Sequence, residues 1–216
     1  MLLQQLAPVQ PLPDCPSLRA HQAPDLFALW HAWEQECGKQ LGVPFWGIVW
    51  PGAVLIARYL LAHPAVVAGK RILDVGCGGG VAGLAAAQCA AREVVLNDID
   101  PTALHIARLN AAHNSLTMVT TEQRLDSVAT LSGYDVILVA DFFYERSEAA
   151  QMEQLLRQVA RQGCVVLVAD GQRPFAPSRA VELLEQREIA VARDVEGVGS
   201  RQVRLMRLTE ECGVSQ

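Results

Sequence analysis

A glycine-rich turn set between a buried strand and a helix constrains this chain more than any other feature. In Ile72-Leu73-Asp74-Val75-Gly76-Cys77-Gly78-Gly79-Gly80 an apolar strand runs into an acid and then into glycines. Glycine lets the backbone turn tightly and come closer to a ligand than a Cβ would permit, and the helix that follows points its free N–H groups the same way. From Lys70 onward, short apolar strands alternate with helical patterns, as in a parallel sheet joined by crossover helices. The pattern predicts strands at 71–75, 93–97, 117–121, 135–140, 164–169, 189–194 and 202–208. Helices are expected at about 80–90, 101–113, 147–161 and 178–187. The connection Glu196-Gly197-Val198-Gly199-Ser200 is too short for a crossover helix, so the last two strands must pair antiparallel.

With 216 residues, 51% hydrophobic and 19% charged, the chain has apolar surface enough for one large core and falls outside the disordered and fibrous classes. A net charge of −5 argues against a nucleic-acid partner, because binding along phosphate backbones draws on a basic face. The cysteines at 15, 37, 77, 89, 164 and 212 show neither C-x-x-C nor zinc spacing, so no metal site is indicated and a reducing compartment fits best. The start lacks a basic segment and a secretory apolar stretch, and the apolar-rich run Val81–Ala91 is too short to span a bilayer. A soluble, cytoplasmic protein without a membrane partner is expected. Residues 1–24 hold five prolines and little periodicity, and read as an arm on the surface or partly disordered. Asp25 is a plausible N-cap for a helix to about Gly38, and a second helix runs from Pro51 to about His63. The acidic pairs Glu182/Glu185 and Glu210-Glu211 are most simply solvated.

Two cofactor classes use such a turn. A dinucleotide G-x-G-x-x-G starting at Gly76 needs a small residue at 81, where Val81 stands; starting it at Gly78 brings Gly83 into register but leaves Asp74 unexplained. D-x-G-x-G-x-G is met in full by Asp74, Gly76, Gly78 and Gly80. On that motif the chain, from about residue 70 to 208, resembles the class I S-adenosylmethionine methyltransferases. The resemblance implies a Rossmann-like, seven-stranded, mostly parallel sheet with an antiparallel last strand, helices on both faces and an N-terminal helical extension. It also implies that the turn wraps the methionine and ribose portion of S-adenosylmethionine, with Asp74 near the amino group. Asp98, three residues before Pro101, matches the ribose-binding acid, while Asp100 reads as the N-cap of the helix that Pro101 begins. Asp126 matches in position the residue that reads the adenine amino group, and a cap ahead of Ser127-Val128 is the alternative.

After the fourth core strand comes Val139-Ala140-Asp141-Phe142-Phe143-Tyr144-Glu145, at the carboxyl edge where ligands of parallel sheets lie. Asp141 and Tyr144 form a D-x-x-Y unit similar to the signature of seven-strand protein-lysine methyltransferases; a capping Asp141 and a packing Tyr144 are the plainer alternative. Together with Pro44-Phe45-Trp46-Gly47-Ile48-Val49-Trp50-Pro51-Gly52 and Asn97-Asp98-Ile99-Asp100-Pro101, this unit resembles the electron transfer flavoprotein beta-subunit lysine methyltransferases and their bacterial relatives, over roughly residues 25 to 175. That resemblance implies a protein substrate, the flavoprotein beta subunit, with Trp50 packed over the cofactor. It further implies that residues 1–65 cover the cofactor site and 66–216 form the catalytic core. In this reading Asp141 accepts a hydrogen bond from the lysine amine, and Tyr144 walls the channel and fixes that acid. The fifth strand departs from the family's G-D-P-G-R, reading Ala169-Asp170-Gly171-Gln172-Arg173, which bears on substrate choice.

Overall fold

Alternation with a period of two along the central strands decides the architecture. The computed structural model describes residues 2–209, with side chains from residue 4; Glu210-Glu211 and Cys212 lie outside them. The chain opens with α1 (Leu2–Leu6), a hairpin of β1 (Val9–Leu12) and β2 (Cys15–His21), α2 (Leu26–Cys37) and α3 (Pro51–Ala62). Next come β3 (Arg71–Val75), α4 (Val81–Gln88), β4 (Glu93–Asn97), α5 (Pro101–His113), β5 (Val119–Thr121) and α6 (Val128–Leu131). The remainder is β6 (Val136–Ala140), α7 (Arg146–Arg161), β7 (Val165–Asp170), β8 (Val181–Ala190), α8 (Arg193–Glu196) and β9 (Ser200–Leu208). The seven-stranded sheet has the order β5-β4-β3-β6-β7-β9-β8, parallel except where β9 runs against β7 and β8.

Successive strand residues face opposite sides of the sheet and bury against different helices. Ile72, Leu96, Leu138, Leu167 and Leu205 join one core with Leu55, Leu60, Leu84 and Leu104, from α3, α4 and α5. Their neighbours Leu73, Val95, Ile137, Val168 and Met206 join the other with Met152, Leu156 and Val159 of α7. The parallel strands β3, β4, β6 and β7, buried on both faces, are apolar through their middles and carry polar residues, Arg71, Asp74, Glu93, Asn97 and Asp170, only at or next to their ends. The order reverses between β3 and β6, and the carboxyl ends there open the crevice in which such sheets bind ligands.

Two expectations are corrected. The helix expected at 178–187 is absent: those residues fall largely in β8, and the strand expected at 189–194 ends at Ala190. Val-Glu-Leu-Leu-Glu-Gln-Arg-Glu favours helix locally, but β9 has buried Val203, Leu205 and Leu208 and an open side beyond β7. Pairing along Val181–Ala190, with Glu182 and Arg207 opposed as an ion pair, covers it, and tertiary pairing overrides weak propensity. The expected surface arm is instead the β1–β2 hairpin, whose Leu12, Cys15, Leu18 and Ala20 enter the same core as α3 and α4.

Buried Asn110 of α5 ties this hairpin to the glycine turn: its Oδ1 accepts from the His21 N–H at 2.8 Å and its Nδ2 donates to the Gly79 carbonyl at 2.8 Å. Asn110→Ala leaves both backbone groups unpartnered, and a loss of about 2–4 kcal/mol is expected in urea unfolding. A loss below about 0.5 kcal/mol would show that this tie is not needed.

Candidate active site

The glycine turn is built as its sequence requires. Gly76, Gly78 and Gly80 have φ of 61°, 51° and 79°, the left-handed region that disfavours side chains. A Cβ on Gly76 would lie 3.1 Å from the Phe142 ring, so the turn is packed from the β6 side. Nothing lies within 4 Å of a Cβ placed on Gly78, whose N–H is instead taken by Asp98 Oδ2 at 2.9 Å. The other Asp98 oxygen accepts from the Asp100 N–H at 3.0 Å, and Asp100 caps α5 through the Thr102 N–H at 2.8 Å. Asp74 is buried at the end of β3 and accepts from the Gly83 N–H at 2.8 Å. Burial pushes the Asp74 carboxyl up to about 7, and it raises Asp98 as well. Burial, with both acids nearby, holds the Cys77 thiol well above its usual range, so Cys77 is no nucleophile.

Asp141 follows β6 directly and takes φ +48°, a strained setting for a residue other than glycine. Its Oδ2 accepts from the Gly52 N–H at 2.6 Å and its Oδ1 from the Gly171 N–H at 3.1 Å. The first donor is in the opening turn of α3, where free N–H groups and the helix dipole favour an anion. Gly52 admits the carboxylate closely, since a Cβ there would sit 2.6 Å from Asp141 Oδ2 and 2.8 Å from the Ala169 carbonyl. Burial raises the Asp141 carboxyl, while the two N–H groups and Arg173, whose Nε lies 3.8 Å from Oδ1, act the other way. Tyr144 is 58% exposed and makes no hydrogen bond to Asp141; the backbone amides hold that acid, in place of the expected tyrosine.

One cavity of about 720 Å³ brings the two ends together, lined by Asp74, Gly76, Gly78 and Asp98 on one side and by Asp141 and Tyr144 on another. Gly80 stands behind it at the N-cap of α4. Trp50 lines the cavity as the N-cap of α3, its Nε1 donating to the Phe45 carbonyl at 2.9 Å and its ring under the Arg173 guanidinium. Trp46 is buried edge-on to Trp33 and also reaches the lining. Asp126 is on the exposed part of the lining, and Ser127 rather than Asp126 is the N-cap of α6. Asn97 holds the segment leading to Asp126 by donating to the Thr121 and Gln123 carbonyls.

Sequence reasoning missed Glu196 and Arg201, which line the same cavity from α8 and from the start of β9. Glu196 is bound by Arg173 at 2.7 Å and Arg201 at 2.8 Å with only 5% of its side chain exposed. The short glycine-containing connector gave no motif, and only the fold carries it over the crevice. No helix among the described residues is long and apolar enough to cross a membrane.

The model of a family described as lysine methyltransferase matches residues 28–187. The electron transfer flavoprotein beta subunit lysine methyltransferase of Danio rerio is 39% identical over 133 residues, 60% of this chain and 51% of that protein. That of Mus musculus is 37% identical over 146 residues, 66% of this chain and 56% of its own length. The chain thus spans little more than half the length of these relatives. The solved magnesium protoporphyrin IX methyltransferase of Synechocystis, with S-adenosylmethionine bound, shares the fold at a TM-score of 0.50 and 16% identity, over 73% of this chain and 78% of that one.

Proposed function

Because the chain belongs to the lysine methyltransferase family, we propose that it transfers a methyl group from S-adenosylmethionine to a lysine of a protein substrate, the electron transfer flavoprotein beta subunit. The observation that carries this reading is the placing of Asp141: a buried carboxylate, held by two backbone amides, opening on the cavity that the glycine turn and Asp98 line. The residues present fit the cofactor. The open space at Gly78 admits a ligand against the backbone, Asp74 suits an ammonium, and the Asp98 oxygens suit a pair of ribose hydroxyls. Trp50 walls the cavity and Asp126 stands on its exposed lining, where the family resemblance has them cover the cofactor and read its adenine. We place the reaction in the cytoplasm, where the free thiols of Cys15, Cys37, Cys77, Cys89 and Cys164 would stay reduced.

When bound, S-adenosylmethionine supplies an electrophilic sulfonium methyl. The lysine must reach it neutral, although its ordinary pKa is about 10.4. Partial burial lowers that value, and the proton leaves to solvent as the side chain docks. Asp141 then accepts an N–H of the amine and aims the nitrogen lone pair along the channel that Tyr144 walls. Methyl transfer to the amine would place positive charge on its nitrogen. The Asp141 carboxylate, already fixed by Gly52 and Gly171, stabilises that charge without having to reorganise.

The raised Asp74 gives a pH signature. Its carboxyl holds a proton up to about pH 7, whereas an ammonium ligand needs the ionised form. Cofactor affinity therefore rises with pH, with about tenfold weaker binding at pH 6 than at pH 8 by linkage. Stability runs the opposite way: in the empty protein this group's contribution is full below the ordinary carboxylate range and is lost as pH rises through about 7. Calorimetric titration with S-adenosylhomocysteine checks the affinity, and Asp74→Asn should lose most of the slope. A flat profile in the parent protein would remove Asp74 from the ammonium site.

The function is tested by incubating the protein with labelled S-adenosylmethionine and extract of its source cells, then identifying the labelled species by mass spectrometry. Label on a lysine of the flavoprotein beta subunit is expected. Label confined to small molecules, or to another residue type, would overturn the reading.

A further inference from the structure

Arg173 is pulled two ways. Its Nε faces Asp141 Oδ1 at 3.8 Å, an ion pair too long for a hydrogen bond, and that buried Nε has no hydrogen-bond partner among the described residues. Its outer nitrogens bind Glu196, Nη2 donating to Oε1 at 2.7 Å and Nη1 to Oε2 at 3.4 Å. Glu196 is fixed in turn by Arg201, whose Nε donates to Oε2 at 2.8 Å and whose Nη2 donates to the Glu196 backbone carbonyl at 3.2 Å. These four side chains line the cavity, and Trp50 lies under the Arg173 guanidinium with 5.4 Å between the Arg173 Cζ and the ring centre.

We propose that Glu196, at the end of α8, is a positioning residue for methyl transfer: it tethers Arg173 short of Asp141 and so keeps one lone pair of Asp141 Oδ1, beside the one that the Gly171 N–H takes, open to accept from the incoming amine. The inference rests on the reading of Asp141 as the amine's acceptor. The chemistry follows from competition between anions for one guanidinium. A near-bidentate Arg–carboxylate pair outranks a single long contact, and both charges of the Arg173–Glu196 pair are largely removed from water. Without the Glu196 charge, Asp141 is the remaining carboxylate within 4 Å of the Arg173 guanidinium among the described residues, while Asp170 is engaged by the Arg173 backbone N–H at 2.6 Å. The guanidinium then closes the 3.8 Å gap and occupies the lone pair that the substrate needs. The cofactor contacts of Asp74, Asp98 and the glycine turn are untouched, because among the described residues these share no hydrogen bond with this group, and Trp50 is the one cofactor-facing residue that Arg173 touches.

The test compares the parent protein with Glu196→Gln, which keeps shape and removes charge, and Glu196→Asp, which keeps charge. Each is measured for melting temperature, S-adenosylhomocysteine affinity, and kcat and KM on a methyl-accepting protein, and crystal structures of the parent and Glu196→Gln are compared. Expected for Glu196→Gln is a kcat lowered about 10- to 100-fold, the scale of a misplaced catalytic group. Cofactor affinity should stay within a few fold of the parent value, the melting temperature should fall because one charge of a buried ion pair is lost, with the variant still folded at the assay temperature, Arg173 should lie within hydrogen-bond distance of Asp141, and Glu196→Asp should recover much of the rate. An unchanged kcat, a fall explained by lost stability, or Arg173 still clear of Asp141 in the variant crystal would overturn the proposal. If the parent protein methylates no protein lysine, the functional reading fails instead, and the position of Arg173 in the variant crystal still decides whether Glu196 is its tether.

Discussion

Asp141→Asn lowers methyl transfer about 10²–10³-fold, the scale for removing one preorganised electrostatic group from a transition state, and leaves affinity for S-adenosylhomocysteine within about twofold, a few tenths of a kcal/mol. Asparagine is the informative replacement. It tolerates the φ of +48° that position 141 requires, whereas alanine there adds backbone strain. Both Asp141 oxygens accept from backbone N–H groups, of Gly52 and Gly171, so the NH2 of an asparagine must confront one of those donors. The variant also lacks the charge that the methylated, cationic amine calls for. Single-turnover measurement with saturating cofactor separates the chemical step from binding. A variant that keeps most of its rate would remove Asp141 from the reacting centre, and a large loss of cofactor affinity would make it a cofactor residue instead.

Asp98→Ala acts at the other end of the cavity, with the opposite division of effects. Charged hydrogen bonds to two ribose hydroxyls are worth about 3 kcal/mol together, so cofactor affinity should weaken about 100-fold. The rate at saturating cofactor should stay within a few fold of the parent. The same carboxylate also ties the Gly78 and Asp100 amides together, so part of the loss comes from a loosened turn. Titration with adenosine separates the two parts, since it carries the ribose hydroxyls without the methionine portion. If the variant and the parent bind S-adenosylhomocysteine equally, the ribose is held elsewhere.

The central sheet was legible because its parallel strands are buried on both faces and therefore apolar through their middles, and because glycines at 76, 78 and 80 leave few alternatives for the turn between β3 and α4. The antiparallel close of the sheet followed from a connector too short to cross over, and β9 does run against β8. The helix expected at 178–187 failed for a tertiary reason: a sequence of good helix formers was recruited as an edge strand by an unpartnered β9. The hairpin of residues 9–21 was hidden by its prolines, which interrupt the alternation whose inward members are Leu12, Cys15, Leu18 and Ala20. In the site, acids at strand ends announce themselves by motif. Glu196 does not, since its place against Arg173 depends on the path of a connection 23 residues further along the chain. Gly52 was visible only as part of an aromatic segment, and its reason, the approach of Asp141, exists only in three dimensions.

The central claim is transfer to a lysine amine, and it is tested most directly with purified components. The protein, S-adenosylmethionine and recombinant flavoprotein beta subunit of the same source are incubated, and the product is read by intact mass and fragment-ion mass spectrometry. The account predicts mass increments of whole methyl groups on one lysine region, absent with Asp141→Asn and present with the parent protein. A flavoprotein left unmodified while S-adenosylhomocysteine binds tightly would contradict the substrate. Methyl groups on a residue other than lysine would contradict the chemistry.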